Sequence, residues 1–144
     1  MIWYFDTGLL VKLYVLEPES ARVAEWMNAA PDVLLSPLHR LEMTLALTAK
    51  QARGELTSTQ TSRALGHMEE DIAARRFRAL TCDWAAVLDL ARTLGETHGV
   101  GTPARSLDVL HIAAALHFRA VSFLTSDKRQ RAFALAAGLT CPAC

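Results

Sequence analysis

Four acidic residues stand where helices or strands begin or end. Asp6 closes the apolar run Met1–Phe5, Glu42 lies early in a helix, Asp108 opens a small apolar helix, and Asp127 directly follows the run Val121-Ser122-Phe123-Leu124-Thr125. If the strands are parallel, Asp6 and Asp127 both fall at the carboxyl edge of a sheet, where open α/β folds place their ligands. Carboxylates that converge repel one another, and a hard divalent cation relieves that repulsion. Mg²⁺ and Mn²⁺ suit the donor type, because they prefer oxygen and do not require histidine or cysteine. Such an ion keeps positions open for a phosphate, activates a water and stabilises charge on phosphorus. Cleavage of a phosphodiester is therefore the reaction class this set fits best. Thr7, Thr125 and Ser126 put hydroxyls beside Asp6 and Asp127, where they can orient the ligands or their waters.

Each acid also has a plainer reading. Asp6 and Asp127 are good N-cap residues, Asp108 is a first-turn acid favoured by the helix dipole, and Glu42 is a solvent-facing glutamate. All four plain readings together are less economical, because three of these carboxylates border very apolar segments. Glu42 and Asp108 are both expected in first helical turns, where free N–H groups steady a carboxylate or a phosphate oxygen. Glu17, Glu19, Glu25, Glu69, Glu70, Asp71 and Glu96 read as solvated faces, Asp32 as a turn residue and Asp83 as an N-cap.

Among the cations, Arg105, Lys128 and Arg129 neighbour two of the acids and are candidates for phosphate contacts. Arg75, Arg76 and Arg78 read as a solvated helix end. His111 falls on the same helix face as Asp108. It reads as a half-buried core or dimer histidine, since Mg²⁺ rarely takes imidazole.

The elements that must position these groups follow from periodicity. Ile2–Phe5 predicts a strand, and Gly8–Leu16 a helix with Leu9, Leu10, Leu13 and Leu16 at helical spacing. Pro18 suits the first turn of the next helix. Val33–Ser36 reads as a strand, and Pro37 starts a helix that Gly54 ends. The cluster Thr57–Gln60 caps a polar helix reaching about Arg76. Phe77–Thr81 is a weaker strand, and Asp83 caps a helix through His98. Ser106–Phe118 is an apolar helix, Val121–Thr125 a buried strand, and Lys128–Ala137 a helix closed by Gly138, with a final short strand after it. Strands alternating with helices imply an α/β fold with a parallel sheet covered on both faces.

Bulk properties narrow the field. A chain of 144 residues suits one domain spanning 1–144. The formal charge is zero, which argues against a broadly basic coat for nucleic acid. Set aside the four candidate ligands, however, and 11 acids face 15 bases, so contacts to a polyanion are expected to be local. No apolar run approaches a membrane span, and the start of the chain does not read as a secretory signal, so a cytoplasmic location is expected. Cys82 reads as a small, partly buried residue. Cys141 and Cys144 form a C-x-x-C without a second ligand pair, which leaves the pair without an assigned role.

At these residues the chain resembles the PIN-domain ribonucleases, and within them the VapC toxins of type II toxin–antitoxin pairs. Asp6-Thr7-Gly8-Leu9-Leu10-Val11-Lys12-Leu13-Tyr14 with Glu17-Pro18-Glu19-Ser20 looks like the first motif of that family, and Arg40-Leu41-Glu42 like its helical glutamate. Arg105-Ser106-Leu107-Asp108-Val109-Leu110-His111-Ile112-Ala113-Ala114-Ala115 looks like the third motif. Leu124-Thr125-Ser126-Asp127-Lys128-Arg129 looks like the fourth. The resemblance implies a three-layer α/β/α sandwich with a central parallel sheet of four to five strands. It implies Asp6, Glu42, Asp108 and Asp127 around Mg²⁺ or Mn²⁺, endonuclease activity on RNA, a homodimer, and a VapB-like antitoxin partner. One departure is Gly8, where the family often has Ser or Asn; a polar contact near the first aspartate is lost there, and the Thr7 hydroxyl and backbone N–H groups are the available substitutes.

Three rival readings remain open on sequence. Asp6-Thr7-Gly8 spells the aspartic-protease signature, but that chemistry needs two such loops in a β-rich fold. A strand-end aspartate can accept a phosphoryl group, as in phosphatases or receiver domains, given a partner acid and a placed lysine. A PIN-like interaction module without turnover is the non-enzymatic alternative.

Overall fold

A computed structural model describes residues 1–143. The elements run β1 (Ile2–Phe5), α1 (Thr7–Val11), α2 (Ser20–Ala29), β2 (Asp32–Leu35), α3 (Pro37–Ala52), α4 (Ser58–Ala73), β3 (Arg78–Ala79), α5 (Trp84–His98), α6 (Ser106–His117), β4 (Ser122–Leu124) and α7 (Lys128–Ala136). The chain is α/β, and its strand pairs β1 with β4 and β2 with β3 are both parallel. The residues gather into two compact units: Met1–Asp6 with the chain from Thr81 onward, and Thr7–Leu80.

In the first unit, β1 and β4 pair in the register Trp3 to Ser122, Tyr4 to Phe123 and Phe5 to Leu124. Apolar, aromatic residues favour this pleated and buried setting. Tyr4 and Phe123 are fully buried and stack with ring centroids 5.5 Å apart. The Asp6 N–H donates to the Leu124 carbonyl at 2.9 Å, so the pairing runs on to the edge. The run Ile112–Ala115 of α6 is completely buried, which its lack of polar residues allows. His111, expected to be half-buried in the core or a dimer, is almost fully buried, and its Nδ1 lies 2.7 Å from the Tyr4 hydroxyl. Asp83 caps α5 by accepting from the Ala86 N–H at 3.1 Å. Gly138 follows α7 with φ +89°, a left-handed geometry open to glycine at little cost.

In the second unit, Ser36 caps α3 reciprocally with His39, and Pro37 occupies the first helical position. Thr57 and Gln60 form a capping box at the start of α4, with bonds of 2.8 and 3.1 Å. Gly54 follows α3 with φ +77°. Arg75 and Arg119 take the same left-handed region after α4 and α6 at φ 57° and 55°, each costing about 1 kcal/mol that a glycine would save.

Several expectations need correction. α1 ends at Val11, not Leu16; the N–H groups of Lys12, Leu13 and Tyr14 bond three residues back, tightening the chain out of the α-helix. Leu16 is therefore outside the helix and exposed. Pro18 precedes α2 and does not lie in its first turn. β3 shrinks to two exposed residues, because only Arg78 and Ala79 find ladder partners in β2, opposite Leu34 and Leu35. The tail forms no final strand among the described residues; beside β4 the Phe123 N–H donates to the Thr140 carbonyl at 2.8 Å. Glu42 is the sixth residue of α3, beyond its first turn, so the helix dipole does not steady it. No helix among the described residues is long and apolar enough to cross a membrane. Cys141 is buried, and Cys144 lies outside the described residues.

Candidate functional site

The parallel register carries Asp6 and Thr125 to the same edge, one residue past the paired Phe5 and Leu124. The Thr125 hydroxyl donates its single proton to Asp6 Oδ2 and accepts from the Asp127 N–H at 3.0 Å. One buried threonine therefore ties a strand-end carboxylate to the backbone of the next. Asp6 is itself buried, at 8% exposure.

Asp127 caps α7, as its plainer reading anticipates. Its Oδ1 accepts from the N–H groups of Arg129 at 2.8 Å and Gln130 at 3.1 Å, which leaves Oδ2 turned elsewhere. Asp108 lies in the first turn of α6, as expected. Arg105, at the N-cap of α6, reaches both acids: Nε donates to Asp108 Oδ2 at 3.1 Å, and Nη2 lies 3.5 Å from Asp127 Oδ2. The two acids hold the guanidinium above its ordinary pKa, Asp108 through a hydrogen bond and charge and Asp127 through charge. Asp6, Asp108 and Asp127 are thus linked through Thr125 and Arg105. Ser126 is exposed, as are Lys128 and Arg129 at the start of α7. Arg129 shares a surface cleft of about 490 Å³ with Arg105, Pro103 and Ala104.

In the second unit, Thr7 follows Asp6 in the chain and is buried; its hydroxyl donates to Glu42 Oε1 at 3.0 Å. Arg40, beside Glu42 in sequence, pairs with Glu69 at 2.8 Å. Gly8 is exposed, and the Thr7 hydroxyl next to it is turned to Glu42.

The donor set is one of hard oxygens, the type Mg²⁺ and Mn²⁺ take. Among the described residues, no three His, Cys, Asp or Glu side chains are already arranged around a common ion position. Asp108 and Asp127 are turned instead to a cation of the chain itself, Arg105, which shows that positive charge is favoured at this point. In chemistry, the residues fit a divalent ion.

Sequence reasoning missed two features. Asp71, read as part of a solvated face, accepts from the Tyr14 hydroxyl at 2.7 Å and pairs with Arg76 at 3.2 Å. Burial, and then the neighbouring Asp71, push the Tyr14 hydroxyl well above the usual phenol range. The other is the pairing of Arg105, a phosphate-contact candidate on sequence, with two carboxylates. The spacing of Arg105 three residues before Asp108 was a usable signal, since i and i+3 meet on a helix; the approach to Asp127 left no local trace.

A Thr125→Val protein tests the link. It removes the donor to Asp6 and the acceptor for the Asp127 N–H while keeping the volume. Thermal melts are expected to show a loss of about 1–3 kcal/mol, with Thr125→Ser recovering much of it.

The PIN domain family model matches residues 3–136, nearly the whole chain. The chain belongs to the PIN-domain family. This PIN domain is 30% identical over 132 residues to Ribonuclease VapC47 of Mycobacterium tuberculosis (strain CDC 1551 / Oshkosh), covering 88% of this chain and 85% of the relative. Among solved structures, FitAcB from Neisseria gonorrhoeae superposes with a TM-score of 0.69 at 21% identity, covering 98% of this chain and 96% of that one. VapBC2 from Rickettsia felis, bound to a DNA fragment from their promoter, superposes with a TM-score of 0.66 at 16% identity, covering 98% and 97%. These neighbours share the α/β PIN fold with the chain.

Proposed function

We propose that this PIN domain is a divalent-cation-dependent endoribonuclease, the toxin of a VapBC-type pair. The observation that carries the reading is the linkage of Asp6, Asp127 and Asp108 through Thr125 and Arg105, at the carboxyl ends of β1 and β4. The 30% identity to a VapC ribonuclease over most of both chains supports the choice of RNA as substrate.

In this reading Asp6, Asp108 and Asp127 hold Mg²⁺ or Mn²⁺, and Glu42 is a fourth functional carboxylate assigned on the family motif. A bound divalent cation supplies Lewis acidity and makes water a stronger nucleophile at neutral pH. The chain's own residues supply placement. Thr125 fixes the orientation of Asp6 and the backbone of Asp127, the α7 cap directs one oxygen of Asp127 inward to the helix and leaves the other facing Arg105, and Thr7 orients Glu42. Arg129 and Lys128, exposed beside Asp127, are in this reading the contacts for phosphates of an RNA strand.

A protein partner is part of the same proposal, with a VapB-like antitoxin and a second copy of the chain as the two expected binders. Exposed Leu88 and Leu107, at 56% and 50%, line a largely apolar cleft of about 430 Å³ between α5 and α6. Apolar surface of this kind marks interaction sites.

The test is RNA cleavage by purified protein. Mn²⁺ is expected to support cleavage, EDTA to stop it and excess Mn²⁺ to restore it. Glu42→Gln is expected to lower the rate about 100-fold. Cleavage that persists in EDTA rejects the metal assignment, and full activity in Glu42→Gln rejects the role of that glutamate. A wild-type protein that binds its partner but cuts no RNA leaves the interaction-module reading in place.

A further inference from the structure

Arg105 is 76% exposed, yet it makes ion pairs with two carboxylates on different elements. Asp108 belongs to the first turn of α6, and Asp127 caps α7. At the N-cap of α6 the Arg105 backbone is extended and its side chain makes no capping bond, so the side chain is committed to the acids alone. Two carboxylates drawn to one point raise each other's energy, and a cation between them lowers it. A guanidinium stays protonated at any working pH, so proton loss cannot vacate the position. Departure requires the side chain to swing out, which its exposure permits.

We propose that Arg105 is a built-in counter-cation of the Asp108–Asp127 pair, and that a divalent ion must displace it to bind. The affinity for the ion is then set by a competition inside the chain. This rests on the reading of the aspartates as metal ligands given above. The displaced guanidinium, whose planar fork matches a phosphate, becomes available to substrate only once the ion is in place. The chain would thereby link ion arrival to the recruitment of an anion.

The deciding measurement is calorimetric titration of the full chain with Mn²⁺, without RNA. Wild type is compared with Arg105→Gln and with Arg129→Gln. Arg129→Gln removes the same charge from the neighbouring position at the start of α7, where the side chain makes no ion pair among the described residues. Arg105→Gln is expected to bind Mn²⁺ about 3- to 10-fold more tightly, the range two partly exposed ion pairs command. Arg129→Gln is expected to change affinity by less than about twofold, because solvent and salt screen an unpaired charge. Equal affinity in wild type and Arg105→Gln, with both binding, overturns the counter-cation role and leaves the metal site standing. Equal tightening in both variants overturns it as well, since the effect would then be one of general charge. No Mn²⁺ binding by either wild type or Arg105→Gln overturns the metal-site reading together with this inference.

Discussion

Asp127→Asn is expected to lower RNA cleavage by about 100-fold or more while leaving the melting temperature within about 2 °C of wild type. The two halves of this result come from the two oxygens of one side chain. Oδ1 accepts from the Arg129 and Gln130 N–H groups and holds the start of α7. Asparagine caps helices about as well as aspartate, so this function survives the change. Oδ2 faces Arg105 and, in the proposed reading, the metal ion. There the substitution removes the negative charge and one hard ligand. Loss even of an outer contact to a metal ligand costs 10- to 100-fold, and loss of the ligand is expected to exceed that. Asp108→Asn and Asp6→Asn are expected to act in the same direction. Initial rates on an RNA substrate in Mn²⁺, beside thermal melts of the same preparations, check both halves. Full activity in all three variants would end the metal-nuclease reading.

Phe123→Ala is expected to destabilise the fold by about 3–5 kcal/mol, the usual range for a buried Phe truncated to Ala. Phe123 is fully buried in β4, paired with Tyr4 across the sheet and stacked on its ring at an interplanar angle of 13°. Removing the ring leaves a cavity and also forfeits the aromatic pairing, worth about 1 kcal/mol beyond burial. For a chain of this size the expected shift is a melting temperature about 10–17 °C lower. The effect reaches function through register, because Phe123 sits two residues before Thr125 in the run that brings Thr125 to Asp6. Phe123→Leu, which keeps most of the volume, is expected to recover more than half of the loss. A melt indistinguishable from wild type in Phe123→Ala would show that β4 is not part of the load the core carries.

Legibility differed from element to element for physical reasons. The capping box at Thr57 and Gln60 was readable because both partners lie within one turn. The same holds for the cap at Asp83 and for the left-handed stops at Gly54 and Gly138. The end of α1 was misread, because Leu13 and Leu16 continue the helical spacing while the backbone has already tightened into three-residue turns. β3 was overdrawn, since a short apolar stretch does not say how many of its residues find a partner strand. Asp71 looked like an ordinary surface acid, since Tyr14 is remote along the chain and its hydroxyl carries no sequence signal.

Local order settled much of this protein before any folding is considered: which residues start and stop helices, which runs become strands, and which carboxylates stand at their ends. Those outcomes depend on backbone preferences and on side chains a few positions apart. Only the tertiary structure decided which hydroxyl holds Asp6, which second acid Arg105 reaches beyond its helical neighbour Asp108, and which donor holds Glu42. Such contacts join residues distant along the chain, and they turn on strand register and helix placement to within an ångström or two, a precision that residue order and spacing do not encode.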